Sequence, residues 1–181
     1  MHVERVVPFC IVVLALLLSS CMPYGRELRE QRAAGHEERG GNDYIAVTRY
    51  GCLGTCPDYT AIIYDNDTIH FEGHNYSSPS GAHVASASAG TYKSLLQQLI
   101  NMNVWSLEAE PDEPPEACRE LVTDNPGVEI RVSAEGRTQS IRHYYGCIGV
   151  SEEPAINEIA REIDKAAGVK SRTKGVIWHA R

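Results

Sequence analysis

The sequence predicts an α+β domain: a mainly antiparallel sheet built from hairpins, with two helices packed on one face. Three observations predict it. From Asp43 onward, apolar and polar residues alternate in short runs, the period of a half-buried strand. Those runs come in neighbouring pairs separated by turn residues, which is the pattern of hairpins. Two other segments switch to the 3.6-residue period of an amphipathic helix.

The first strand is "YIAVTRY", with Ile45, Val47 and Arg49 on one face and Tyr44, Ala46, Thr48 and Tyr50 on the other. "YTAIIYDNDTIHFEG" reads as two strands around the turn Asp65-Asn66-Asp67, with Ile69 and Phe71 pointing inward. "AHVASAS" adds a short strand. In "AGTYKSLLQQLINMN", Leu95, Leu96, Leu99 and Met102 share one helical stripe, and Ser88 is the expected N-cap. Val104, Trp105 and Leu107 then return to the core. Residues Glu108 to Asp124 read as a long irregular loop rich in proline and acid. "GVEIRVSAEGRTQSIRHYYG" is a second hairpin turning at Glu135-Gly136. In the closing helix "SEEPAINEIAREIDKAAG", Ser151 is the expected cap and Pro154 suits the first turn. Ile156, Ile159 and Ile163 make its buried stripe, and Gly168 ends it.

The segment before this domain reads as an address. An apolar run of ten residues, Phe9 to Leu18, is too short for a spanning helix, which needs about 20 residues. It has the length of a signal-peptide core. It ends at Leu18-Ser19-Ser20-Cys21, which resembles a bacterial lipobox and makes Cys21 the expected lipidation site. We therefore expect a lipoprotein signal peptide over 1–20 and a lipidated flexible tether over 21–42, polar and closed by Gly40-Gly41. A single α+β domain over 43–181 follows, its basic end 170–181 partly flexible, with Val176, Ile177 and Trp178 available to dock. A diacyl or triacyl anchor gives stable membrane attachment. By resemblance to Gram-negative lipoproteins, Met22 rather than Asp after the cysteine favours the outer membrane, with the domain facing the periplasm.

The formal net charge of −7 argues against a general nucleic-acid footprint. Of six cysteines, Cys10 leaves with the signal and Cys21 carries lipid. Four remain in the domain, and an exported chain favours disulfides. The preferred pairing is Cys52–Cys56 with Cys118–Cys147. The first closes a tight loop ahead of Pro57, and the second staples the acidic loop to the end of the last strand. The crossed pairings stay open.

"CLGTCPDY", the hairpin "YDNDTIHFEG", "VTDNP" and "IRHYYG" before a final amphipathic helix resemble the bacterial lipoproteins grouped as domain of unknown function 6438. The resemblance covers roughly Asp43 to Gly168. It implies a small α+β domain on an exported protein and implies no activity.

Each candidate chemistry competes with a plainer reading. Cys-X3-Cys-Pro resembles the copper motif of Sco-type chaperones, whose thiolates suit Cu(I). In that fold the motif enters a helix, whereas here "DYTAIIYD" follows as a strand. His70, Glu72 and His74 alternate onto one face and could contribute to a metal site together with Cys52 and Cys56. Positions i and i+4 of a strand lie about 13 Å apart, so a shared ion needs a bulge, for which Gly73 is the candidate. The polar face of a half-buried strand is the favoured explanation of these residues. "YSSPSGAHV" lacks a nucleophile elbow, and the acidic loop lacks EF-hand spacing. The chain therefore reads as a lipid-anchored envelope protein, a non-enzymatic binding or structural module without a cofactor. Its partners are the membrane, through the lipid, and another envelope protein. The alternative is a thiol-disulfide redox or copper-handling protein using Cys52 and Cys56.

Overall fold

The computed structural model describes residues 43–108 and 118–169. The expected signal peptide, Cys21, the tether, most of the acidic loop and the basic end lie outside the described residues.

Six strands form one sheet: β1 (Tyr44–Tyr50), β2 (Tyr59–Tyr64), β3 (Thr68–Gly73), β4 (Gly81–Ser86), β6 (Gly127–Ala134) and β7 (Arg137–Tyr144). Their spatial order is β4-β3-β2-β1-β6-β7, and every neighbouring pair is antiparallel. Two short strands, β5 (Glu120–Leu121) and β8 (Cys147–Ile148), pair separately. The helices are α1 (Thr91–Asn101) and α2 (Glu153–Ala166), with a 3-10 turn at Val104–Ser106. This is the expected α+β architecture.

Alternation decides which face meets the helices. Register places Ile45 opposite Ile63 and Val132, and Val47 opposite Ala61 and Ile130. These side chains, with Ile69, Phe71 and Ile141, form the core together with Tyr92, Leu95 and Leu99 of α1 and Ile156, Ile159 and Ile163 of α2. Burying a large apolar side chain stabilises the fold by about 1.5–3 kcal/mol. The opposite face holds a smaller cluster of Ala46, Ile62 and Tyr64 with Tyr44 against it. Trp105 of the 3-10 turn lies under the Arg137 guanidinium, 4.4 Å from the ring centre, which ties that turn to β7.

Both expected helix caps are corrected. Helix α1 is not capped by the Ser88 side chain; its N-cap is Gly90. The N–H groups of Gly90 and Tyr92 instead donate to the Asp67 carboxylate, at 2.7 and 2.8 Å. Asp67 stands in the β2–β3 turn with φ 61°, a backbone state that aspartate tolerates. A residue distant in sequence wins because the sheet carries its carboxylate to the positive end of the helix. Ser151 donates to Glu152 and does not cap α2, whose N-cap is Glu152. The acidic loop is also less irregular than expected, since β5 lies inside it.

Candidate functional site

One end of the sheet collects most of the residues that the sequence singles out. It comprises the end of β1, the start of β2, the end of β3, the start of β4, the start of β6 and the end of β7. Three loops meet there. The Gly51–Asp58 loop contains the disulfide between Cys52 and Cys56. The Leu53 N–H of this loop donates to the Asp124 carbonyl, 3.2 Å away. On its other side, Asp58 exchanges backbone hydrogen bonds with Asn75 and His74, and the Ser77 hydroxyl donates to the Asp58 carbonyl. Loops 51–58, 74–80 and 122–126 are thus joined by their own backbones.

The Val122–Pro126 loop is held from behind. The Tyr144 hydroxyl donates to the Val122 carbonyl and accepts from the Asn125 N–H, both at 3.0 Å. The Asn125 amide donates to the Val122 and Thr123 carbonyls. A second disulfide joins Cys118 to Cys147, next to the β5–β8 pair, so it fastens the acidic segment to β8 rather than to β7. Gly146 lets this region close: a Cβ there would lie 1.9 Å from the Val122 carbonyl oxygen.

This end also exposes large apolar side chains. Leu53 is 83% exposed, Tyr76 58%, Leu121 47% and Val122 42%. Loops held to one another by hydrogen bonds, one of them closed by its own disulfide, lose less entropy when something binds them.

Beneath the loops, on the helix face, lies a polar network. Arg49 donates through Nη2 to Asp164 at 2.8 Å and through Nη1 to the Tyr145 hydroxyl at 2.9 Å. The Tyr59 hydroxyl donates to the other Asp164 oxygen at 2.7 Å, and Tyr145 donates in turn to Asn157. Nearby, buried His143 stands 3.3 Å from Glu153 and meets the Tyr145 ring edge-on. The network fastens α2 to β1, β2 and the chain after β7. Burial raises the pKa of Tyr59, and the Asp164 charge raises it further. Burial likewise raises that of Tyr145, although Arg49 opposes the effect. For Arg49, burial acts to lower the pKa, but the charges of Asp164, Tyr145 and Tyr59 outweigh it, and the net shift is upward. Both phenols therefore stay protonated donors at neutral pH, which suits bracing rather than proton transfer.

The expected metal alternative does not assemble. Strand β3 keeps continuous register with β2 through Gly73, so no bulge occurs there. The missing Cβ of Gly73 serves another purpose, since a Cβ would sit 2.2 Å from the Pro79 carbonyl oxygen. His70 packs edge-on against Tyr64, and His74 lies beyond the strand. Among the described residues, no group of three His, Cys, Asp or Glu side chains could hold a metal ion. Nor does any helix of the described residues have the length and apolarity to cross a membrane.

Residues 43–167 match the family described as "Domain of unknown function (DUF6438)". The chain belongs to this family. The match spans the whole sheet, both helices, the loop end and the Arg49–Asp164 network. No curated protein matches the chain.

Sequence reasoning missed the network and the exposed cluster. A signal for the first was present: Arg49 falls on the same face as Ile45 and Val47, and a charge on a core face needs a partner. Asp164, directly after Ile163 of the buried stripe, was the available carboxylate. No signal marked the second, because four single apolar residues gain meaning only once the loops are brought together.

Proposed function

We propose that this family member is a lipid-anchored module of the bacterial envelope that binds another envelope protein through its loop end and catalyses no reaction. The observation that carries the reading is the set of exposed apolar side chains Leu53, Tyr76, Leu121 and Val122, carried at one end of the sheet by β5 and by loops hydrogen-bonded to one another. Exposed apolar side chains that gather into a patch mark contact surfaces. Two disulfides suit an oxidising compartment. The lipobox at Leu18 to Cys21 supplies the anchor and, with Met22 behind it, supports the outer membrane. The described chain starts at Asp43, and the loop end lies at the far end of β1 from it, about 20 Å away.

The test uses the full chain in its own membrane. Cys21→Ala should leave the protein out of the detergent phase. After mild solubilisation, the wild type should migrate as a complex larger than the protein alone. Leu53→Arg with Val122→Arg should remove the partner from that complex, with an unchanged melting temperature. A wild type that never carries a second protein would refute partner binding.

A second reading keeps one observation in its favour: Cys52 and Cys56 are only half-buried and form a pair open to reduction. It casts the chain as a thiol-disulfide or copper-handling protein. The motif leads through Pro57 into β2 rather than into a helix, so no helix N-terminus lowers a thiol pKa there. Disulfide-reductase turnover, or one Cu(I) held against a chelator and lost in Cys52→Ser/Cys56→Ser, would establish this second reading.

A further inference from the structure

We infer that the Cys52–Cys56 disulfide is a reversible thiol-disulfide exchange site, and that a dithiol which opens it releases Leu53 from its fixed place at the loop end. The two disulfides of the domain stand in different settings. Cys52 and Cys56 are both half-buried, and Gly51, Leu53, Gly54 and Thr55 around them are exposed. A Cβ added to Gly54 would touch the Cys52 Sγ at 3.5 Å, so the glycine leaves that flank of the sulfur without a side chain. In the other pair Cys118 is half-buried and Cys147 is buried. Attack by a thiolate requires access to a sulfur, which favours the first pair. The two also differ in what else holds the chain. Between Cys52 and Cys56 the backbone makes two hydrogen bonds among the described residues, and one of them, Gly54 N–H to the Cys52 carbonyl, stays within the loop. The other, Leu53 N–H to the Asp124 carbonyl, is its tie to a neighbour. Beside Cys118–Cys147, by contrast, Glu120 pairs with Ile148 and Leu121 with Cys147, and the Arg119 and Val122 N–H groups donate to the Ile148 and Gly146 carbonyls. The first disulfide therefore sets the shape of its loop, whereas the second adds to a backbone ladder.

Exchange takes two steps. A thiolate of the dithiol attacks one sulfur, the Cys52–Cys56 bond breaks, a mixed disulfide forms and the other cysteine leaves as a thiolate. The second thiol of the reductant, once deprotonated, attacks the mixed disulfide and releases the second cysteine. Two electrons pass to the chain, its two thiolates take up the two protons that the dithiol gives up, and the reductant ends as a disulfide. Four residues of separation keep the thiols close, so an oxidised thiol compound closes the bond again by the same steps in reverse. The change stays within the loop. Asp58 remains tied to His74, Asn75 and Ser77, and Tyr144 still holds the Val122–Pro126 loop. A freed Leu53 must be ordered again on contact, which costs affinity. That last consequence rests on the contact surface proposed above; the exchange itself does not.

The purified mature protein in detergent, titrated with dithiothreitol, alkylated and mapped by peptide mass spectrometry, tests the exchange. Cys52 and Cys56 should be alkylated in full while Cys118 and Cys147 remain joined, and oxidised glutathione should restore the first bond. At that point amide hydrogen exchange should speed up in a peptide covering Leu53 and stay unchanged across Tyr59–Tyr64. Opening of Cys118–Cys147 first, or of both disulfides together, overturns the inference, and so does an unchanged exchange rate at Leu53. In solubilised membranes the selectively reduced wild type and Cys52→Ser/Cys56→Ser should both hold the partner about tenfold more weakly than the oxidised wild type. Equal retention by all three would overturn the release of Leu53. An oxidised wild type that carries no second protein, yet shows the selective opening and the faster exchange at Leu53, would refute the contact surface and uphold the exchange site.

Discussion

Arg49 shows what one residue contributes to this fold. Its guanidinium lies on the core face of β1, where an unpaired charge costs several kcal/mol. Asp164 and the Tyr145 hydroxyl satisfy it, and the same bonds hold α2 across the end of the sheet. Arg49→Met should destabilise the domain by about 3 kcal/mol, because it strands a desolvated Asp164. Tyr59→Phe removes one bond to a charged acceptor and should cost about 1.5–3 kcal/mol. Urea unfolding of each variant measures both. The tyrosines also set a pH limit. Burial raises the pKa of Tyr59 and Tyr145 above 10, and burial with the nearby Asp43 charge pushes Tyr92 up to about 12. For an acid whose folded pKa is raised, the stabilisation is complete below the unfolded value and is lost as pH climbs towards the folded value. Stability should therefore show no tyrosine-dependent loss near neutrality and fall above about pH 10. In Tyr59→Phe that fall should be shallower; an equal slope would show that Tyr59 ionisation is not part of it.

At the scale of elements, long-range bonds replace local ones. Asp67 fills the role expected of Ser88. Asp67→Ala should cost about 1–2 kcal/mol and Ser88→Ala a few tenths, as seen in thermal unfolding. Larger loss from Ser88→Ala would return the cap to the local residue. The β5–β8 staple gives a second case. Cys118→Ser and Cys147→Ser should each cost about 2–4 kcal/mol, and the double variant no more than either. Additive losses would mean that the two cysteines are not partners. The strands were legible in the sequence because their signal is local: alternation in "YIAVTRY" and "GVEIRVSA" directly reports which face is buried. The helix stripes at Leu95–Leu99 and Ile156–Ile163 were legible for the same reason. The caps were not, because a carboxylate from another element can reach a helix end when the fold carries it there. No local pattern records that reach.

For the whole molecule, the order β4-β3-β2-β1-β6-β7 does the work that no single element can. Placing β1 between β2 and β6 brings the Cys52–Cys56 loop beside the Val122–Pro126 loop, 70 residues apart in sequence at Leu53 and Thr123. Hairpins were readable from turn residues, but the neighbour of β1 on its second side was not, because that pairing spans more than 80 residues between Tyr44 and Ser133. The candidate site was accordingly half legible. Its cysteines stood out, and its apolar side chains did not. On the proposed reading the loop end is the contact surface, with the Cys52–Cys56 disulfide as its brace. Site-specific photocross-linking in intact membranes tests this most directly. A photoreactive residue at Leu53, Tyr76 or Val122 should give one shared adduct to a partner protein. The same residue at Asn66 or Glu135, in turns at the opposite end of the sheet, should give none. Adducts from Asn66 and Glu135, with none from the loop end, would contradict the account.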